Sequence, residues 1–175
     1  MTPAAPQTKL LAADIMAANL ADAEAILALQ RLAYQSEARL YGNGSIPPLT
    51  QTLIELRAEF ATLLVLKAVS GESIIGSVRA GLGPEAGLCR IGRLIVHPDH
   101  QRQGLGSALL RAAEASFPAA RRFQLFTGHK SAGNLRLYQR LGYLPVRSEA
   151  VSPELSLVFL ERNAERGGEE IEKQT

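Results

Sequence analysis

Gln101-Arg-Gln-Gly-Leu-Gly-Ser107 sets two glycines, two residues apart, beside a cation and directly before a stretch with helical apolar spacing. Glycine has no Cβ, so at Gly104 and Gly106 the backbone can turn tightly and come close to a ligand. The amides of a helix's first turn have no partner within the helix, and the helix dipole favours negative charge there. The segment therefore has the chemistry of an anion cradle, suited to a phosphate held on backbone N–H groups. Simple turn formation would use the same residues. Charge leans toward the cradle: residues 100–147 hold Arg102, Arg111, Arg121, Arg122, Lys130, Arg136, Arg140 and Arg147 against one acid, Glu114. Such a skew suits either a solvated basic face or a funnel for a polyanionic small molecule. Further on, Asn134 and Tyr138 are four apart, so on a helix they share a face and can reach one ligand.

These residues need elements to position them. Lys9–Ile15 reads as a first strand. Asn19, with Asp22 three residues on, caps a helix that runs to about Leu40. Tyr41–Pro48 is a loop, and Thr50 caps a second helix over about Gln51–Phe60. Leu63–Val69 and Ile74–Leu82 are strands joined by the hairpin turn Ser70-Gly-Glu-Ser73, and Gly83–Gly87 turns again into Leu88–His97. After the glycine loop a helix runs to Pro118. Arg122–Thr127 is a strand reached through that helix, so it lies parallel to its predecessor. Ser131 caps a helix over Ala132–Leu141, closed by Gly142. Tyr143–Ala150 and Leu155–Arg162 are the last strands. The order β-α-α-β-β-β-α-β-α-β-β predicts an α/β fold, a mixed, mostly antiparallel sheet with helices on both faces. One domain spans 9–163, between a disordered lead-in at 1–8 and a charged disordered tail at 164–175.

Composition narrows the function classes. The chain has 175 residues, 46% of them hydrophobic, which suits one domain with a proper core. No apolar run reaches the about 18 residues of a membrane span. Met1–Gln7 lacks the basic and apolar regions of a signal peptide. One cysteine, Cys89, excludes an intramolecular disulfide, and the three His show no metal-ligand spacing. A net charge of +2 is too balanced for a nucleic-acid or membrane surface. A cytoplasmic, metal-free protein is expected.

Strand, Val96-His-Pro-Asp99, Gln-x-x-Gly-x-Gly, helix: this succession resembles the acyl-CoA-binding motif of the GNAT superfamily, the CoA-dependent N-acyltransferases. Asn134-Leu-Arg-Leu-Tyr138-Gln-Arg-Leu-Gly142-Tyr143 resembles that family's second motif, Asn-x-x-x-Tyr-x-x-x-Gly-aromatic. The resemblance covers roughly residues 9–162 and the same element order. It implies acetyl-CoA as co-substrate and a fourth strand, ending Leu94, Ile95 and Val96, that splays from the next parallel strand. Free backbone groups there would pair with the pantetheine arm, as an added strand pairs with an edge. A main-chain N–H near Ile95 or Val96 would polarise the thioester carbonyl. Gln101, Arg102, Gln103, Gly104, Leu105, Gly106 and Ser107 would carry the pyrophosphate on backbone amides, with Arg102 as an outer charge contact. Tyr138 would be the general acid for the departing thiolate, a role that suits a phenol of reference pKa about 10. Asn134 would anchor the pantetheine or the helix start.

The sequence departs from part of the family. Many members carry a Glu on the fourth strand, where this chain has Arg90, with Arg93 nearby and no carboxylate between Glu85 and Asp99. A water relay, Glu37 or His129 is left to take the proton of the incoming amine. Arg79, Arg90 and Arg93 border the acceptor strands, as surface charge or, for one of them, as the holder of an acceptor carboxylate. Cys89 reads as a small buried hydrophobe rather than an acyl relay. The Tyr41–Gln51 loop borders the acceptor. The expected activity is direct acetyl transfer, in a ternary complex, to a primary amine that is a small metabolite or amino-acid-like. The alternatives are a non-catalytic acyl-CoA sensor and a peptide or protein N-acetyltransferase. A P-loop is excluded, because no Lys-Ser/Thr follows the glycines. An exposed last strand allows a homodimer.

Overall fold

Alternation along the strands decides the layers, because successive side chains of a strand leave the sheet on opposite faces. The computed structural model describes residues 13–165. The strands are β1 (Asp14–Ala17), β2 (Leu64–Ser70), β3 (Ser73–Leu82), β4 (Leu88–Val96), β5 (Arg122–Gly128), β6 (Leu144–Ala150) and β7 (Ser156–Asn163). They form one sheet in the order β1-β2-β3-β4-β5-β7-β6, antiparallel throughout except for the parallel pair β4–β5. In β2, Val65 packs with α1 (Ala23–Ala33) and α4 (Leu53–Glu59) through Ile26, Leu27 and Leu56. Its neighbour Leu66 points the other way, into the larger core under α5 (Leu105–Ala115), with Leu109, Leu110 and Ala113. Tyr138 of α6 (Ala132–Arg140) joins that second layer. The mixed sheet with helices on both faces is the expected one.

Several boundaries differ from expectation. β1 starts at Asp14 rather than Lys9, and Lys9–Ala12, like the lead-in at 1–8 and tail residues 166–175, lie outside the described residues. Asn19 does form the capping box, accepting from the Ala21 N–H while Asp22 accepts from its own. The helix that follows is not continuous to Leu40. Tyr34 (φ −82°, ψ 0°) ends α1, and α2 (Gln35–Tyr41) resumes beyond it. Ala38 N–H still bonds Tyr34 O across the break, so the apolar period runs on and hides it. The loop after Tyr41 contains a further turn, α3 (Pro47–Thr50), started by proline at its first position. α4 is capped by Thr52, not Thr50: its hydroxyl accepts from Glu55 N–H and the Glu55 carboxylate accepts in return.

Arg79 on β3 lies at the centre of a buried polar network and is only 3% exposed. It donates to the carboxylate of Glu59 at 2.6 Å and to the side-chain oxygens of Gln51 and Gln30. Gln30 in turn donates to Pro48 O at 2.8 Å, so the network ties the α2–α4 connection to the sheet. Arg79 is therefore a structural cation, not the free holder of an acceptor carboxylate. Arg79→Leu leaves the Gln30 side-chain oxygen without its donor and half-buried Glu59 without its cation, while Gln51 still accepts from Gln30 and donates to Glu59. Loss of a buried pair's partner costs about 3–5 kcal/mol, and the exposure of Glu59 reduces that to about 2–4 kcal/mol. Urea unfolding of the variant, compared with Leu82→Ala at an exposed position, measures it.

The sheet opens at one place. β4 and β5 pair only over Leu88–Arg90 with Arg122–Gln124, and from Ile91 and Leu125 onward the two strands diverge. β4 is also irregular there. Ser77 pairs with Ile95 and Arg79 with Gly92, so three steps on β4 face two on β3, a β-bulge at Arg93–Leu94. Arg93 adopts φ +49°, a left-handed conformation uncommon outside glycine and asparagine.

Candidate active site between the splayed strands

A cavity of about 250 Å³ fills the splay. Ile91, Gly92, Arg93 and Leu94 of β4 form one wall, and Leu125, Phe126, Thr127 and Gly128 of β5 the other. Asn134 and Tyr138 reach it from α6, and Tyr34, Glu37 and Tyr41 from the α1–α2 break. Ile46, Pro47 and Pro48 close one side, with Val151, Leu155 and Leu157 from the β6–β7 hairpin opposite. Tyr34, Glu37 and Tyr41 share a face because 34, 37 and 41 follow helical spacing across the break, where Ala38 N–H still bonds Tyr34 O. Close approach of α2 depends on Gly128: a Cβ there would stand 2.1 Å from the Tyr41 hydroxyl. That hydroxyl accepts from the Lys130 N–H at 2.9 Å, joining α2 to the turn before α6.

Backbone alternation leaves one edge of β4 unpaired at the splay. His97 N–H donates to Ile75 O of β3, so the neighbouring N–H and C=O of Val96 face away from β3, toward the opening. The Val96 carbonyl accepts from Gln101 Nε2 at 3.2 Å, which fastens the glycine loop to the strand end. Ile95, on the alternate parity, is buried in the core and pairs with Ser77.

Three phenols, Tyr34, Tyr41 and Tyr138, and two opposite charges, Arg93 and Glu37, share the chamber. Tyr138 is 5% exposed, and burial pushes its phenol well above the ordinary tyrosine value, with Tyr34 and Glu37 adding to the shift. Burial likewise raises the Tyr34 phenol, against the opposing pull of Arg93, whose guanidinium carbon lies 6.0 Å from the ring centre. Both hydroxyls hold their protons through the neutral range. Glu37 is held by the Ser131 hydroxyl, which donates to it at 2.6 Å. Ser131 thus serves Glu37 and makes no cap bond to α6 as the sequence predicted. Asn134 donates to Thr127 Oγ1 at 3.2 Å, fixing α6 against β5.

Gln101–Ser107 lies at the head of α5. Arg102 (φ +61°) and Gly104 (φ +83°) both take left-handed backbone, and Gly104 occupies the N-cap position with no side chain over the first-turn amides. Space over Gly104 is open for 4 Å, and no acid lies in the first turn. At Gly106 a Cβ would make only ordinary contact with Leu137, at 3.4 Å. Arg102 is exposed, Gln103 Nε2 donates to Asp99 O at 3.5 Å, and Leu105 is core, leaving only its amide, with that of Ser107, on offer. An open first turn flanked by a cation fits a pyrophosphate.

Other candidates lie elsewhere. His129 is exposed and accepts from Ser156 N–H at 3.0 Å on Nδ1, so it holds the start of β7 outside the chamber. Arg90 is exposed on β4, outside the chamber lining. Cys89 is fully buried, and desolvation raises its thiol to about 11, so little nucleophilic thiolate forms near neutrality. Among the described residues no three His, Cys, Asp or Glu lie close enough to hold a metal ion, and no helix is long and apolar enough to cross a membrane. Sequence reasoning missed Tyr34, Thr127 and the contact of Ser131 with Glu37. The i, i+3, i+7 spacing of Tyr34, Glu37 and Tyr41 was the signal available.

Comparison with known proteins agrees with this geometry. No curated protein matches the chain in sequence. Among solved structures, paiA N-acetyltransferase from Thermoplasma acidophilum, in complex with coenzyme A, is 16% identical with a TM-score of 0.69, over 88% of this chain and 100% of that one. yncA from Salmonella typhimurium, solved with its cofactor acetyl-CoA, is 19% identical with a TM-score of 0.67, over 90% and 97%. The ribosomal-protein-S18-alanine N-acetyltransferase from Escherichia coli is 17% identical with a TM-score of 0.68, over 91% and 98%. At such identities the likeness is one of fold. The sequence model of the acetyltransferase (GNAT) family matches residues 25–143, from α1 to the end of the Asn134–Tyr143 motif. The chain belongs to the GNAT acetyltransferase family.

Proposed function

We propose that the protein transfers an acetyl group from acetyl-CoA directly to a small primary amine bound in the chamber between β4 and β5. The observation that carries this reading is Tyr138, a buried phenol whose proton is held, lining the cavity in the splay of β4 and β5, in a chain whose glycine loop leaves the α5 N-terminus uncapped. In this reading the first-turn amides of α5 and Arg102 take the pyrophosphate, and the backbone of Leu94 and Val96 takes the pantetheine arm. The Val96 N–H, on the open edge, polarises the thioester carbonyl.

Glu37 accepts one proton from the ammonium form of the acceptor, directly or through a water, and releases it to solvent. The freed nitrogen attacks the carbonyl carbon, forming the C–N bond as the C–S bond breaks. Tyr138 gives its proton to the departing sulfur, and the second proton lost by nitrogen restores the phenol. The balance is one amide, one thiol and one proton released. A chamber of about 250 Å³ is smaller than the about 300–1,000 Å³ of pockets for drug-sized ligands, which supports a small acceptor over a long one. Fully buried, reduced Cys89 suits a cytoplasmic setting.

Calorimetric titration with acetyl-CoA, followed by thiol release against a panel of amino acids, alkylamines, polyamines and peptides, tests the reading. Binding together with amine-dependent thiol release and an N-acetyl product by mass spectrometry is the expected result. Binding with no release for any amine would leave an acyl-CoA sensor and overturn it.

A further inference from the structure

Arg93 stands apart from the other half-buried or buried arginines of the sheet. Arg79, Arg122 and Arg162 each make an ion pair, whereas Arg93 makes none among the described residues. It nevertheless lines an apolar chamber, where a lone cation is costly unless a ligand supplies its partner. The bulge at Arg93–Leu94 and the left-handed backbone of Arg93 re-aim its side chain toward Tyr34, off the regular ladder. The opposite charge lining the same chamber is Glu37. Around this dipole the wall is apolar: Ile46, Pro47, Phe126, Val151, Leu155 and Leu157. Phe126 and Val151 remain 48% and 60% exposed, as apolar rim residues awaiting cover.

We propose that the acceptor is an α-amino acid with an apolar side chain, its carboxylate on Arg93 and its amino nitrogen beside Glu37. This rests on the acetyl-transfer reading and narrows it. An α-amino acid carries its carboxylate and its ammonium on one carbon, so one small ligand in this chamber can meet both the cation Arg93 and the anion Glu37 that line it. Arg93 binds the carboxylate through paired N–H donors, and the apolar wall takes the side chain. Amines without a carboxylate leave Arg93 unpaired, and polyamines bring further cations toward it.

The test uses matched pairs that differ only in the carboxylate: leucine with 3-methylbutylamine, and phenylalanine with phenethylamine. Wild-type kcat/KM should favour the amino acid of each pair by about 10–100-fold, the range expected for hydrogen bonds to a charged group. Arg93→Gln should collapse that ratio toward unity, and Arg93→Lys should restore part of it. Titration of the protein–CoA complex with leucine and with 3-methylbutylamine reads the same preference without turnover. Equal or better use of the decarboxylated amines, or equal affinity in the CoA complex, would overturn the inference while leaving acetyl transfer standing. Absence of thiol release with every amine would instead overturn the transfer reading, and the CoA-complex titration would still decide the ligand class.

Discussion

Tyr138→Phe lowers kcat by about 10²–10⁴-fold, the contribution expected of a positioned general acid, while the affinity for acetyl-CoA stays close to wild type. Phenylalanine keeps the ring that packs in the core beside Tyr143, so the fold is retained. No side-chain hydrogen bond contributes to the raised pKa of this phenol, so the substitution orphans no partner there. The sign of the shift also fixes the pH behaviour. Burial disfavours the phenolate, so the proton-bearing form persists above the ordinary tyrosine range of about 10. The wild-type rate should therefore show no alkaline decline attributable to this group up to pH 10. A Tyr138→Phe enzyme with wild-type kcat would remove the acid role from this residue.

Glu37→Gln gives the second large effect, and its pH dependence separates catalysis from structure. At pH 7 an amine of pKa about 10.4 is almost wholly protonated, so loss of the acceptor of its proton should cost about 10²-fold in kcat/KM. As pH rises toward the pKa of the amine, free base becomes available without help. The deficit should then shrink to a few-fold by pH 9–10. Glutamine keeps an oxygen for the Ser131 hydroxyl, which donates to Glu37 at 2.6 Å, so the link to α6 survives. A loss of the same size at every pH would assign Glu37 to structure alone.

Much of the fold follows from local rules. Short turns fix the β2–β3–β4 meander, and the crossover through α5 is long enough to bring β5 parallel to β4. The Gly104–Leu105 junction and the Asn134–Tyr138 face are also local; Leu94, Asn134 and Tyr138 line one chamber, and Gln101 ties the glycine loop to the strand end at Val96. What local pattern did not reveal depends on tertiary contact. The break at Tyr34 leaves the apolar period intact, so only packing shows that α2 turns toward β5. Ser131 looks like a helix cap in sequence, yet its hydroxyl goes to a carboxylate 94 residues away. Arg79, Arg90 and Arg93 look alike along two strands. Alternation and a one-residue bulge send them respectively to a buried network, to solvent and to the chamber. Thr50 and Thr52 both fit a helix cap in sequence, and the capping box Thr52-Leu-Ile-Glu55 places the start of α4 at the second of them.

Initial-rate kinetics with acetyl-CoA and the best acceptor both varied test the central claim most directly. Direct transfer between two molecules bound together in the splay predicts intersecting double-reciprocal lines, with the pattern retained at a far lower kcat in Tyr138→Phe. Parallel lines, with an acetylated enzyme isolated in the absence of amine, would contradict it.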